Sequence, residues 1–147
     1  DQTKDQAGAI EQLLAMLDYQ RRDITLYEDL GKRFAALNQP AESERAYTSI
    51  VEALPSESES HALLAEIRER QNRWAEAVVL WEQVARIRSL EPTGLIRLTN
   101  AQIHVRKFDA AEASLKKLKG KAWPVRFSDV DQKIRELDQA IVEGKKG

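Results

Sequence analysis

The chain has no cysteine. Disulfides, thiolate nucleophiles and zinc sites with cysteine ligands are therefore excluded, while the absence fits either redox compartment and locates nothing. No stretch approaches the roughly 20 apolar residues that a membrane-spanning helix needs. The start carries no basic, apolar and small-residue succession of a signal peptide. Opening on Asp1 without Met, the sequence reads as an excised domain or a processed form, so compartment stays open. Charge of one sign is also lacking: 23 Lys and Arg against 24 Asp and Glu leave a formal net charge of -1. A polyanionic partner needs a concentrated positive field, which this balance disfavours. No segment alternates polar and apolar residues as a half-buried strand does.

What remains is a helical composition, with 42% hydrophobic and 32% charged residues over 147 positions. That length fits one domain or one short array. Small and large residues recur at a fixed step of 34 residues. Ala9, Ser43, Ala77 and Ala111 form one column; Leu13, Tyr47, Trp81 and Leu115 form a second; Met16, Ile50, Val84 and Leu118 form a third. Pro40, Trp74 and Phe108 keep the same step. Helical spacing predicts eight helices, near 6–20, 24–37, 40–53, 57–71, 74–89, 92–105, 108–119 and 128–143. Breakers agree with these limits. Asn38-Gln39-Pro40 ends one helix and starts the next, and Glu91-Pro92 repeats the device. Ser56 with Glu59 has capping-box spacing, and Ser128 with Asp131 is a candidate cap for the last helix. Short connections favour antiparallel neighbours that bury their apolar faces only by stacking, an all-α solenoid.

These residues resemble the tetratricopeptide repeat, a 34-residue helix–turn–helix unit. Tyr27, Leu30, Gly31, Phe34, Ser43, Tyr47, Ile50 and Pro55 fill its signature places in the first full repeat. His61, Leu64, Ala65, Ala77, Trp81 and Val84 follow in the second, and Leu95, Leu98, Thr99, Ala111, Leu115 and Leu118 in the third. The resemblance implies one right-handed solenoid domain over 1–147. It divides into the second helix of a partial repeat (6–20), repeats over 24–57, 58–91 and 92–125, and a terminal capping helix over 128–143 with Val130, Ile134, Leu137 and Ile141 on its inner face. Gly31, Ala65 and Thr99 are small enough for close helix approach, with Tyr47 and Trp81 filling the gap between pairs. Arg68 and Gln102 depart from the pattern, standing where a large aromatic is preferred.

In this family the helix that opens each repeat lines a concave groove. Carried over, those places are Glu28, Lys32, Ala35 and Ala36, then Ala62, Glu66, Glu69 and Arg70, then Ile96, Asn100, Ile103 and His104. Glu28, Lys32, Glu66, Glu69, Arg70, Asn100 and His104 are the polar contacts expected for a peptide, over an apolar floor towards the third repeat. The plain alternative is a solvated scaffold face. A carboxylate clamp of the kind some members use is disfavoured, since Glu28 and Ile96 occupy places that would need basic or amide groups. His61 and His104 have no carboxylate or second ligand three or four residues on, so no metal, cofactor or catalytic base is implied. Lys116, Lys117, Lys119 and Lys121 with Arg106 and Lys107 form the one basic cluster, which a helix C-terminus favours electrostatically. The expectation is a non-catalytic module that binds a protein segment. A structural segment of a larger enzyme or cell-envelope assembly is the alternative, with self-association through the N-terminal helix a further one.

Overall fold

The computed structural model describes residues 2–147. Of these, 77% are helical and none lies in a strand. Eight helices follow in order: α1 Gln2–Tyr19, α2 Ile24–Ala36, α3 Pro40–Ala53, α4 Ser58–Arg70, α5 Trp74–Ile87, α6 Thr93–His104, α7 Phe108–Lys119 and α8 Val130–Lys146. The starts of α3 and α7 fall where Pro40 and Phe108 placed them. The outer ends do not: α1 begins four residues before the expected start, and α8 runs on to Lys146. Those extensions are polar, so no apolar period marks them, yet their backbone continues to bond within the helix.

Two expected caps are corrected. Helix α4 opens at Ser58, past Ser56, and the turn before it is tied by other groups. The buried Ser60 hydroxyl donates to the Leu54 and Glu57 carbonyls. The His61 Nε2 lies 2.9 Å from the Pro55 oxygen, so that nitrogen donates and the ring packs inside. At α8 the capping position is Asp129, with no side-chain bond to the helix start. A cap that the sequence reading missed stands before α2, where Asp23 accepts from the Thr25 N–H at 3.1 Å.

One turn is used three times. Asn38, Asn72 and Arg106, each 34 residues apart, hold the left-handed conformation at φ 57°, 60° and 61°. Around each, two N–H groups close back on the helix just ended. The Asn38 and Gln39 N–H groups bond the Ala35 and Phe34 carbonyls at 2.9 Å; those of Arg106 and Lys107 bond Ile103 and Gln102 at 2.9 Å. This is the Schellman arrangement, and its second residue is already the residue before the next helix.

By its contacts the chain divides into two units, one ending at Leu64 and one running from Ala65 to Gly147. In the first, α2 packs on α3 and α1 on α2, around Ile10, Leu13, Leu17, Leu26, Leu30 and Ala46. Met16, expected on this face, is 44% exposed: Ile10, Leu13 and Leu17 make the contact, and Met16 lies off their stripe. Gly31 permits the tight α2–α3 approach. A Cβ there would stand 2.2–2.6 Å from the Tyr47 ring, and its carbonyl accepts from the Ser43 hydroxyl at 2.7 Å.

In the second unit α5 packs on α6, α6 on α7, and α8 on both α6 and α7. Gly94 lets α6 meet α5, since a Cβ would lie 2.6 Å from the Ala85 backbone. Val130, Leu137 and Ile141 are buried on α8, and Ile134 packs beside them as its expected inner face requires. The two departures from the repeat pattern are absorbed. Arg68 is only 3% exposed and pairs with Glu76 at 3.1 Å, while Gln102 accepts from the Ser114 hydroxyl at 2.8 Å. Trp81 is buried, whereas Trp74 and Trp123 are half-buried.

Three substitutions test these packing and turn assignments through stability. Gly94→Ala should lower the urea unfolding free energy by about 1–3 kcal/mol, because backbone has to yield. Gly31→Ala should cost a similar amount, and Tyr47→Leu in the same chain should recover part of it, since there the obstacle is a side chain. An additive double mutant would remove that account. Separately, Arg106→Asn should raise stability by up to about 1 kcal/mol, because a long L-side chain disfavours the left-handed region. A lower melting midpoint for this variant would show that the Arg106 contact with the Gly144 carbonyl matters more.

Candidate functional site

The expected polar row divides into residues that face solvent and residues that build the fold. On α2, Lys32 pairs with Glu28 at 3.5 Å, an exposed ammonium one turn from a mostly covered carboxylate. Ala35 and Ala36 beside them are exposed.

In the second unit Glu69 is a hub. One of its oxygens accepts from the Trp81 indole at 2.6 Å and the other from Arg97 at 3.0 Å. The Arg97 guanidinium lies 4.3 Å over the Trp81 ring and reaches Glu66 at 3.6 Å. Trp81 is buried and needs a partner for its N–H, so Glu69 is first a structural acceptor. Glu66 remains half-exposed at the edge of the network.

Arg70 and His104, at the same place in successive repeats, are both exposed, and Asn100 is half-buried. The His104 ring stacks on Trp74 with centroids 3.7 Å apart and planes 10° from parallel. Trp74 is held in turn by its N–H donated to Asn72 at 2.9 Å. A shallow cavity of about 400 Å³ opens beside this stack, lined by Asn72, Trp74, Glu76 and His104 among others. The apolar floor expected nearby is taken up internally: Ile96 and Ile103 pack against the α7–α8 cluster.

The basic cluster is dispersed. Lys119 pairs with Asp138 at 2.8 Å, and Lys121 donates to the Ser89 carbonyl at 3.0 Å while lying 5.4 Å over Trp123. Lys116 and Lys117 are exposed on the same helix. Among the described residues no group of three or more His, Cys, Asp or Glu is placed to hold a metal ion.

Two further cavities lie elsewhere, each within one unit. The first, of about 400 Å³, opens between α1, α2 and α3 and is lined by Leu14, Leu17, Tyr27, Leu30 and Phe34 with Arg45 at its edge. The second, of about 580 Å³, opens between α5, α6 and α7. Nine of the ten residues lining the first have their counterparts, 68 residues on, lining the second. Both therefore occupy one repeat position, on the side of the second helices of the repeats. Sequence reasoning passed over it because it weighed only the first helices. The signal was present in the small residues Ala41, Ala46, Ala110 and Ala113, which leave space beneath the neighbouring helix.

No family model matches the chain, and no curated protein matches it. Solved structures do. A crystal structure of MamA superposes with a TM-score of 0.56 at 13% identity, covering 97% of this chain and 90% of its own. A second MamA crystal structure gives 0.57 at 16% identity, covering 97% of this chain and 79% of its own. At that identity the likeness concerns fold alone. The chain has an all-α, tetratricopeptide-like helical solenoid fold.

Proposed function

We propose that the chain is a non-catalytic protein-interaction or scaffold module that holds a protein segment against the first helices of its repeats. One observation carries this reading. The column Gly31, Ala65 and Thr99 is buried in every repeat, while the neighbouring column Lys32, Glu66 and Asn100 reaches solvent and changes chemistry at each step. Ala36, Arg70 and His104 form a second outward column of the same kind. Helices that keep a small buried column and vary the outward one beside it present an ordered set of contacts at low ordering cost to themselves. The MamA neighbours share the fold, and a helical-repeat fold of this kind is built to present extended binding surfaces.

Within this reading Lys32, Arg70, Asn100 and His104 are direct contacts. Glu28 and Glu66 tune the charge beside them, and Glu69 supports the frame. A second reading, a structural segment docking a neighbouring domain of a larger enzyme or envelope assembly, is favoured by α1, where Leu14, Met16 and Tyr19 are exposed.

The test uses the native partner, recovered by affinity capture and identified. Lys32→Glu, Arg70→Glu and His104→Glu should each weaken that complex about fivefold or more, with melting midpoints within a few degrees of the parent. Glu69→Ala should behave differently, costing about 1–3 kcal/mol of stability by orphaning the Trp81 N–H. If all three surface reversals left the affinity unchanged, the first-helix face would not be the binding face. Loss on Leu14→Glu instead would favour docking through α1.

A further inference from the structure

The cavity of the second unit has a chemistry that its counterpart in the first lacks. Its floor is aliphatic and small, made by Ala85, Leu95, Leu98, Ala110 and Ala113. Its rim carries Arg86 from α5, Lys117 from α7 and Lys121 just beyond α7, against the single carboxylate of Glu82. In the first unit the equivalents of Glu82, Ala85 and Lys117 are Leu14, Leu17 and Ser49. The same repeat position is thus a mainly apolar hollow in one unit, its Arg45 paired with Glu52, and one lined by three cations in the other.

The rim cations are not consumed by the fold. Lys121 donates to the Ser89 carbonyl at 3.0 Å and lies over the Trp123 ring, both neutral partners that leave its charge uncompensated. Lys117 is exposed. Arg86 bonds the neutral amide of Gln83, a contact that leaves its charge uncompensated. Beneath them the Ser114 hydroxyl donates to Gln102 at 2.8 Å, so the polar part of the floor is already satisfied.

We infer that this cavity is a second protein-docking site, which takes an acidic segment carrying aliphatic side chains. Charge complementarity selects the occupant: three cations converge on one mouth in a chain whose net charge is only -1. The alanine and leucine floor would seat one or two aliphatic side chains between the carboxylates that the rim engages, within a volume typical of ligand sites. Nucleic acid is the poorer fit, because no aromatic ring lines the cavity to stack a base. The site is independent of the first-helix face proposed above, since none of its lining residues belongs to the outward columns.

The probe is a fluorescein-labelled 16-residue helix-forming peptide with leucine on one face and glutamate on the other. Its neutral counterpart has glutamine for every glutamate. Fluorescence anisotropy should show the acidic peptide bound at least tenfold more tightly than the neutral one. Lys117→Glu and Arg86→Glu should each reduce its affinity about tenfold, whereas Lys116→Glu, an equal charge change outside the cavity, should alter it less than twofold. Ala113→Trp, which fills the hollow without changing charge, should abolish binding, with circular dichroism confirming the helical fold. Equal loss on Lys116→Glu would overturn the site in favour of general charge attraction. Absence of acidic-peptide binding would overturn it outright. Tighter binding of an oligothymidylate or of phosphatidylglycerol vesicles than of the peptide would overturn the choice of partner, and concentration-dependent dimerisation lost on Lys117→Glu would replace it with a second copy of this chain.

Discussion

A reversal of the chain within two residues, closed each time by one residue in the left-handed conformation, sets the conditions under which the rest of this structure packs. Asn38, Asn72 and Arg106 occupy it. Because the residue after each already precedes the next helix, the two helices of a repeat have almost no freedom in register. Residues twelve apart then face one another across the turn. Three polar ties exploit that spacing: Ser43 to Gly31, Trp81 to Glu69 and Ser114 to Gln102. Their chemistry differs and their geometry does not, as expected when the backbone reversal dictates which positions meet.

That fixed register explains how the array tolerates polar groups inside. Phe34, Arg68 and Gln102 share one repeat position, yet only the first is apolar. A buried guanidinium or amide is costly unless its hydrogen bonds are met. Arg68 meets Glu76 and Gln71, and Gln102 meets Ser114, all reached across or beside the same turn. The packing position becomes a specific pairing, which only the correct register satisfies.

Much of the architecture was legible because burial imposes a period. The columns through Ile50, Val84 and Leu118 and through Ala77 and Ala111 repeat in sequence because each must fill or clear the same space. The left-handed turn was less legible: Asn38 was noted as a breaker, Asn72 lacks the proline that marks the first turn, and Arg106 hides the third behind a residue with no turn signature. Outer helix ends were missed because exposed polar turns carry no period. For the site, spacing identified which residues lie on the first helices but not what they touch. Glu69 and Glu66 read alike as groove contacts for a peptide. Only the placement of Trp81 and Arg97 twelve and twenty-eight residues on from Glu69 separates a structural acceptor from a surface charge.

The two equivalent cavities show how such a frame can acquire different chemistries without refolding. The columns that carry stability, Leu30 with Leu98 and Ala46 with Ser114, stay small or aliphatic and hold the walls apart in both units. Columns at the mouth are under no such constraint. Leucine at position 14 becomes glutamate at 82, and serine at 49 becomes lysine at 117. Each exchange changes the surface potential while leaving the buried contacts of its helix intact, because the side chains concerned point past the core. Stability and recognition therefore reside in different columns of the same repeat. A residue's place within the 34-residue step indicates which of the two a substitution will disturb.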